Sequence, residues 1–556
     1  MDDSVARFRW LRVPALLTVV GLLAAACGNP APTTSNLAKD QTLRVNIVTE
    51  PNSLDPGQEQ YSYEGSIGGM ISEPLLHVKP DLSDAAPATA ASYSISSDGL
   101  TWTFKIRSNA KWNDGKPVTG ADFVYAWQRI LDPRLAASYA DPFFDGTVAG
   151  AQDYANLDPT KDAAKIPAFI SGLGLSAPDA STFVVKLQAA SPYFKWIASL
   201  WMSAPVRKDV VDQYGSDKWA TSPTSLITNG PYKVSEMVSK DHITLVPNTN
   251  YWGAQPTVTK IINYEISDDN QAYAKYLNGE LDEVNVPLAN TDLVRNDPKL
   301  SREIKLVPQL TLFWMDYNTR KAPFNNAQAR LAFSKAVDRD SLVKNVGKGR
   351  WSAAPYFIPK GMNGYRPDLG ATQKFDAAAA KTMLTQAVGD PSKITIDFLI
   401  RNSTANKQIG EFIADQLQTN LGVKVNQVVI DSKTVTTRLR AHNYQLYVGG
   451  WGADYPDDQD WFDIWMTGSG NVFGGYSNPA YDALVKQADT TADATKRQSL
   501  YDQAQKILID DAGGGFLYQR NYMFLVKPYV QGLTTTAQDF EDVGDWFWGK
   551  TSIATH

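Results

Sequence analysis

Cysteine and histidine are both scarce in this chain. The single cysteine among 556 residues, Cys27, excludes an intramolecular disulfide, so packed cores alone must hold the fold. No two of the four histidines have the helical spacing of a metal-ligand pair; they are His77, His242, His442 and His556. We therefore expect no metal and no cofactor.

Several function classes lack their usual signals. The formal net charge is −6, which provides no basic surface for nucleic acid. No G-x-S-x-G motif marks a nucleophilic serine. No pair of acids is singled out as the carboxylates of a glycosidase, although any two acids can meet in a fold. A secreted hydrolase therefore remains an alternative without a motif, and we expect a protein that is not an enzyme.

The longest apolar run stands at the N-terminus. Three arginines precede an apolar stretch over residues 13–26, which has the layout of a secretory signal. This stretch is shorter than the ~20 residues that a membrane-spanning helix requires. We predict a signal peptide over residues 1–26, and no later segment is long and apolar enough to cross a membrane.

The end of this segment resembles the lipobox of bacterial lipoproteins. Small residues precede Cys27, with Ala24 at the place where the pattern usually has leucine and Leu23 one residue earlier. The resemblance implies that Cys27 is lipidated, with palmitate among its acyl groups, and becomes the mature N-terminus. A free core cysteine behind an ordinary signal peptide is the alternative. The polar, proline-containing residues 27–40 then read as a flexible tether.

Residues 100–131 give the clearest local pattern. Alternating apolar residues from Leu100 to Ile106 predict a half-buried strand, and Asp114-Gly115 predicts a turn. Thr119 and Asp122 have capping-box spacing and predict a helix start. The apolar stripe of this helix, its expected core face, consists of Phe123, Trp127, Ile130 and Leu131.

Strand-like and helical segments alternate along the rest of the chain. This alternation indicates an α/β protein, and the length of 556 residues predicts two or three domains. The strand-like segments are 42–48, 181–187, 242–247, 260–266, 394–400, 423–430 and 444–451; the helical ones are 269–280, 326–337, 406–421, 481–489 and 498–512.

The stretch "VGGWGADYPDDQDWF", residues 448–462, concentrates acids and aromatics behind two glycines. Its acids lack the glycine and terminal glutamate of a calcium loop. We interpret Asp457, Asp458 and Asp460 as a solvated acidic loop. Trp451 as a core aromatic and Asp454 as a turn cap remain alternatives to functional roles.

Long, ordered motifs resemble the extracellular solute-binding proteins of peptide importers, in their oligopeptide-binding branch. The most specific is "TWTFKIRSNAKWNDGKPVTGADFVYAWQRILDP", residues 101–133. Supporting stretches are "NSLDP", "TNGPYKV", "NYWG", "YLNGELDEVN", "PFNNAQARLAFSKAVDRDSLV" and "GWGADY". The resemblance extends over essentially the whole mature chain.

The resemblance implies a two-lobed periplasmic-binding-protein type II fold with an extra domain, closing by a hinge around the ligand. Lobe I would comprise residues 41–72, 206–306 and 523–556. The inserted domain II would comprise 73–205, and lobe III 307–522.

It also implies an amino-end site. Asp454 matches the aspartate that pairs with a peptide α-ammonium, Trp451 and Tyr125 match aromatics of the cleft, and Tyr455 belongs to the same motif. Asn285 falls where the family has an asparagine that reaches the bound backbone. A surface tyrosine is the alternative for Tyr125, because it lies away from the core stripe of its helix.

The chain departs from the family at the carboxyl end of the ligand. An arginine that meets the ligand carboxylate is Val448 here, an acidic residue is Gln60, and a histidine is Asn406. Arg438 and Arg440 lie nearby in sequence and could substitute. The family's frequent disulfide is also absent, because its places hold Thr311 and Gly452.

The implied function is the substrate-binding component of an ABC importer, a monomer held by lipid on the extracytoplasmic face of the cell membrane. Its partners would be an oligopeptide and the permease subunits, with no nucleic acid. A non-peptide solute such as an oligosaccharide, bound by the same fold, is the alternative, because aromatic residues make up 11% of the chain.

Overall fold

The computed structural model describes residues 36–556 except 61, 138, 141–143, 145, 470, 534–535 and 539–549. The predicted signal peptide, Cys27 and most of the predicted tether lie outside the described residues. Within the described ranges, no helix has the length and apolarity needed to cross a membrane.

Helices and strands alternate along the described chain, which confirms the expected α/β class. The helices are α1 (Ser62–Ile71), α2 (Gly120–Ile130), α3 (Ile166–Gly172), α4 (Phe194–Ile197), α5 (Lys208–Tyr214), α6 (Asp269–Leu277), α7 (Thr291–Asn296), α8 (Ala327–Lys335), α9 (Arg339–Asn345), α10 (Ala377–Val388), α11 (Thr404–Leu421), α12 (Ser432–Arg440), α13 (Asp458–Asp463), α14 (Pro479–Asp489) and α15 (Ala494–Asp510).

The strands vary from two to fourteen residues in length. They are β1 (Thr42–Asn46), β2 (Leu76–Val78), β3 (Ala85–Pro87), β4 (Ala90–Ile95), β5 (Thr101–Ile106), β6 (Leu175–Asp179), β7 (Thr182–Lys186), β8 (Tyr232–Val238), β9 (His242–Pro247), β10 (Lys260–Tyr264), β11 (Glu283–Asn285), β12 (Ile304–Tyr317), β13 (Ser352–Ala353), β14 (Thr395–Arg401), β15 (Lys424–Ile430), β16 (Leu446–Gly452), β17 (Gly514–Val526), β18 (Val530–Gln531) and β19 (Ser552–Ile553).

The predicted strand, turn and helix around residues 100–131 are confirmed. The side chains of Trp102 and Phe104 are buried on one face of β5. The backbone N–H of Thr119 donates to Asp122 Oδ2 at 2.7 Å, which completes the capping box that begins α2. Phe123 and Trp127 are buried, whereas Tyr125 on another face of the helix is half-buried.

Three larger sheets organise the described chain. A four-stranded sheet has the order β1-β10-β9-β8, and a second four-stranded sheet has the order β4-β5-β7-β6. The largest sheet has the order β11-β17-β12-β16-β14-β15, and β13 pairs with β17.

The two long strands β12 and β17 pair across an interruption. Their register shifts between Pro308 and Leu312, and the two sides of the shift pack into different cores. Leu312 lies in a core with Trp461, whereas Met523 of β17 lies in another core with Tyr276 of α6. The same pair of strands therefore joins two separately packed bodies.

Candidate functional site

Strand β16 leads into the site and has one open edge. It pairs with β12 from Leu446 to Gly452, but with β14 only at Leu446 and Tyr447. Among the described strands, none pairs with the second edge over residues 448–452. Thr311 lies directly opposite Gly452, at the places where the resembling family often has a disulfide.

Asp454 lies two residues beyond the end of β16. It is 9% exposed, and its carbonyl accepts a hydrogen bond from Gln538 Nε2 at 3.0 Å. Its backbone N–H donates to Asp460 Oδ2 at 3.3 Å. Both backbone groups are thus held, which fixes the main chain at this residue.

Asp460 joins Asp454 to Trp451. The same Oδ2 atom of Asp460 accepts a hydrogen bond from Trp451 Nε1 at 3.0 Å. Asp460 is only 4% exposed, and burial together with the neighbouring charge of Asp454 raises the pKa of Asp460 well above its ordinary value. The half-buried Trp451 and the buried Asp454 therefore share one acceptor.

The interpretation of Asp457, Asp458 and Asp460 as a solvated acidic loop is wrong. Asp457 caps α13 and forms a bidentate pair with Arg497, at 2.9 and 2.6 Å. Asp458 is buried, accepts a hydrogen bond from the backbone N–H of Gly364 at 3.0 Å, and has its pKa raised to about 7 by burial. These acids are structural, because each has a specific donor.

A cavity of about 50 Å³, here called the Asp454 cavity, adjoins that carboxylate. Helix α1 contributes Gly65 and Gly69 to its wall, and Trp201 contributes an aromatic face. His77 also lines it, with Nε2 3.3 Å from Glu73 Oε1. The ring of Tyr139 packs edge-on against Trp201, with the ring centroids 5.1 Å apart.

A second cavity of about 290 Å³, here called the Asn285 cavity, also borders α1. Tyr63 and Ser66 of this helix line it, together with Asn285 at the end of β11 and Tyr522 of β17. Asn285 is exposed, and its Oδ1 accepts a hydrogen bond from Arg350 Nη2 at 3.3 Å. Helix α1 therefore borders both cavities, and β17 contributes to the larger one.

None of the three predicted aromatics, Trp451, Tyr125 and Tyr455, lines either cavity. Tyr125 packs near α5, where Lys208 Nζ lies 5.8 Å from its ring centroid, and burial raises the pKa of Tyr125. Tyr455 is 2% exposed, lies in the core, and its hydroxyl contacts Gln459 Oε1. Their ligand-contacting roles stay predictions.

Three further predicted positions also lie outside these two cavities. Gln60 is exposed, and its backbone N–H donates to Glu64 Oε2 at 2.7 Å. Asn406 lies in the first turn of α11, where its N–H donates to the helix cap. Val448 is half-buried on β16 opposite Met315.

The two arginines considered as substitutes have different surroundings. Arg438 Nε donates to the carbonyl of Asn443 at 3.0 Å. Arg440 lines a separate cavity of about 260 Å³ together with Arg320 and His442. This cavity lies beyond the C-terminal end of β12, whereas Gly452 pairs with Thr311 in the middle of that strand. Neither arginine lines the Asp454 or the Asn285 cavity.

Several residues of the site have no signal in the sequence. Trp201 and His77 line the Asp454 cavity and Gln538 donates to Asp454, all from segments that are far away along the chain. None belongs to a motif with a recognisable spacing. Asp460 lies in the acidic stretch that the sequence analysis singled out, but its charge suggested exposure to solvent.

Comparisons with known proteins cover most of the chain. Residues 84–473 match the family model of the bacterial extracellular solute-binding proteins, family 5 Middle. The periplasmic oligopeptide-binding protein OppA of Salmonella typhimurium is 32% identical over 527 residues, which cover 93% of this chain and 94% of that protein.

Solved structures of peptide-binding proteins match this chain over most of its length. The Escherichia coli murein tripeptide binding protein MppA superposes with a TM-score of 0.79 at 28% identity, covering 94% of this chain and 100% of that one. Haemophilus influenzae OppA in complex with RPPGFSPFR gives a TM-score of 0.77 at 26% identity, covering 93% and 100%. The two-lobed type II fold implied by the sequence motifs is confirmed. The chain belongs to the extracellular solute-binding proteins of family 5.

Proposed function

We propose that this protein captures oligopeptides by their free α-amino end and delivers them to the permease of an ABC importer. The observation that carries the proposal is the position of Asp454, a buried carboxylate two residues beyond an open strand edge. OppA of Salmonella typhimurium, named as an oligopeptide-binding protein, supports it as a relative. The role is binding without catalysis.

The amino end of a peptide needs a fixed anion in a closed cleft. An ammonium that leaves water loses several kcal/mol of hydration unless a carboxylate replaces it. Asp454 is suited to this role because its N–H and carbonyl are both hydrogen-bonded, so the main chain that carries the carboxylate does not have to be ordered when ligand arrives. The indole of Trp451, held by Asp460, adds an aromatic face nearby.

The peptide backbone would bind along β16. An extended chain can add to an open strand edge through main-chain hydrogen bonds that do not depend on its side chains. Residues 448–452 offer such an edge, and Gly449 and Gly450 leave it free of side chains. This arrangement favours broad recognition of peptides over recognition of one sequence.

The carboxyl end would be held less firmly. Val448, Gln60 and Asn406 are uncharged where the resembling family has ionisable groups. We infer that affinity comes chiefly from the amino end and the backbone. Peptides with free and amidated carboxyl ends should then bind within a few-fold of each other, and a much weaker amidated peptide would contradict this.

Closure would use the two long strands. We infer a hinge at the register shift of β12 and β17, between lobe I (41–72, 206–306 and 523–556), which carries domain II (73–205), and lobe III (307–522). The Asp454 cavity is compatible with this division, because Asp454 lies in lobe III and Gly65 and Gly69 lie in lobe I. Small-angle scattering that does not change on adding bound peptide would oppose hinge closure.

The N-terminal segment would anchor a monomer to the membrane. We infer that residues 1–26 are removed, that Cys27 is lipidated, and that residues 27–40 tether the folded part on the extracytoplasmic face. In membrane fractionation, Cys27→Ser should move the protein from the membrane to the soluble fraction. An unchanged distribution would argue against the lipid.

Native mass spectrometry of protein purified without refolding tests the ligand class. We expect retained masses that fragment as peptides. Retained oligosaccharide or another non-peptide solute would instead support the alternative function.

A further inference from the structure

Asp460 is a buried acid placed directly behind the amine site. Its Oδ2 atom accepts from Trp451 Nε1 at 3.0 Å and from the backbone N–H of Asp454 at 3.3 Å. It lies inside α13 and is 4% exposed, so a ligand in the cleft would not touch it. Its influence on a ligand must therefore act through Asp454 and Trp451.

We propose that Asp460 is a positioning residue of the amine site that gives up one proton to solvent when a ligand ammonium binds at Asp454. The inference rests on the proposed function. It adds a second carboxylate to the recognition of amines, and it makes binding depend on pH.

The charges around Asp460 are mostly negative. Asp454 and Asp463 both oppose its ionisation, and burial opposes it further. Asp457, at the start of the same helix, is already paired with Arg497. Two close carboxylates in a buried site hold a proton more tightly than either would alone.

The neighbouring tyrosine hydroxyls supply no charge to this group. Tyr455 and Tyr193 both lie in the core, and burial raises the pKa of each above its ordinary value, so both are neutral in the physiological range. Without ligand, burial and the neighbouring acids therefore favour the protonated form of Asp460.

A bound ammonium changes this balance. Its positive charge beside Asp454 offsets the repulsion between the two carboxylates, so the pKa of Asp460 falls and its O–H proton passes to the buffer. The ionised Asp460 still accepts both hydrogen bonds, and its charge strengthens the site. Affinity should therefore rise with pH, by at most about tenfold per pH unit for one proton released.

Isothermal titration calorimetry with trialanine tests the inference. Titrations at pH 6.5 in two buffers of different ionisation heat count the protons released, and titrations from pH 5 to 7 give the slope of affinity. Wild-type protein should release between half a proton and one proton, an order-of-magnitude expectation from linkage. Release of none by the wild type would overturn the inference.

Two substitutions in α13 separate a specific role of Asp460 from a general effect of removing an acid from this helix. Asp460→Asn keeps an acceptor for Trp451 and Asp454 but has no proton to release, so its binding should not depend on pH between 5 and 7. Asp463→Asn removes an exposed carboxylate of the same helix but leaves Asp460 in place, so it should still release a proton. Its pH dependence should lie at lower pH than that of the wild type, because Asp463 opposes the ionisation of Asp460. Equal proton release by Asp460→Asn and wild type would contradict the inference.

Trp451→Phe provides a further check if Asp460→Asn folds poorly. The indole N–H lowers the pKa of Asp460. Its loss should therefore move the pH range in which affinity rises to higher pH. An unmoved pH dependence would contradict the inference. Failure of wild-type protein to bind any peptide would remove the proposed function as well, whereas binding without proton release would remove this inference alone.

Discussion

The ring of Phe313 on β12 occupies the space that a side chain at Gly450 would need. A Cβ atom at Gly450 would lie 2.6 Å from Cδ1 of Phe313, and the Phe313 ring is itself stacked on Tyr518 with centroids 4.8 Å apart. Gly450 therefore lets β16 lie flat against β12 just before Trp451. Gly449, next to it, has no atom closer than 3.5 Å to such a Cβ.

Gly450→Ala should destabilise the protein by about 1–3 kcal/mol, because the stacked ring must move. It should also weaken peptide binding, because the open edge of β16 moves with it. Gly449→Ala is the matched control and should change the free energy of unfolding by less than about 1 kcal/mol. Denaturant unfolding of both variants checks this, and equal effects would contradict the packing argument.

Asp55→Asn should destabilise the protein by about 3–5 kcal/mol, because it leaves the buried guanidinium of Arg129 without its carboxylate. Asp55 and Arg129 are joined by two hydrogen bonds, at 2.9 and 2.6 Å, with side-chain exposures of 1% and 7%. Asp212→Asn breaks an exposed pair with Lys208 and should cost less than about 1 kcal/mol. Similar denaturation midpoints for the two variants would refute the distinction.

Asp316→Asn should stabilise the protein more at pH 8 than at pH 5. Burial raises the pKa of Asp316 from 3.8 to about 7, although the hydroxyl of Tyr444 donates to it at 3.2 Å. The folded state therefore holds this proton more tightly than the unfolded state, and the wild type loses stability as pH rises from about 4 to about 7, at about 1.4 kcal/mol per unit. The asparagine has no such loss. A difference between variant and wild type that is equal at both pH values would contradict the assignment.

Asp454→Asn should weaken peptide binding at least about 100-fold, since it removes the charge that replaces the hydration of the ammonium. Calorimetric titration with trialanine measures the loss, and thermal unfolding should show that the variant remains folded. Asp463→Asn, which alters an exposed acid nine residues later, should retain wild-type affinity. Comparable affinities for all three proteins would exclude Asp454 as the anchor.

Local signals explain which elements could be predicted. The strand at 101–106 has strict alternation and the helix at 120–130 has a capping box, so each follows from a few adjacent residues. Strands β12 and β17 were not predicted, because much of each is buried on both faces without alternation. They pair with each other across more than 190 residues of sequence, so no local pattern identifies them as strands.

The sequence identifies Asp454, the residue proposed to bind the amino end, but not the residues that surround it in the fold. Asp454 follows from its motif, but Trp201 and Gln538 come from segments that only the tertiary fold brings near it. The acids after Asp454 were misjudged because charged residues are usually exposed. Asp460 is buried because two donors converge on it, and no sequence pattern records a donor nine residues upstream.

Comparison of a free peptide with its N-acetylated form tests the central claim most directly. Acetylation removes the α-ammonium and leaves the backbone and side chains unchanged. In calorimetric titrations of wild-type protein at pH 7, trialanine should bind at least about 100-fold more tightly than N-acetyl-trialanine. The acetylated peptide lacks the positive partner of a buried charge pair. Equal affinities would contradict the role of Asp454 as the receptor for the amino end.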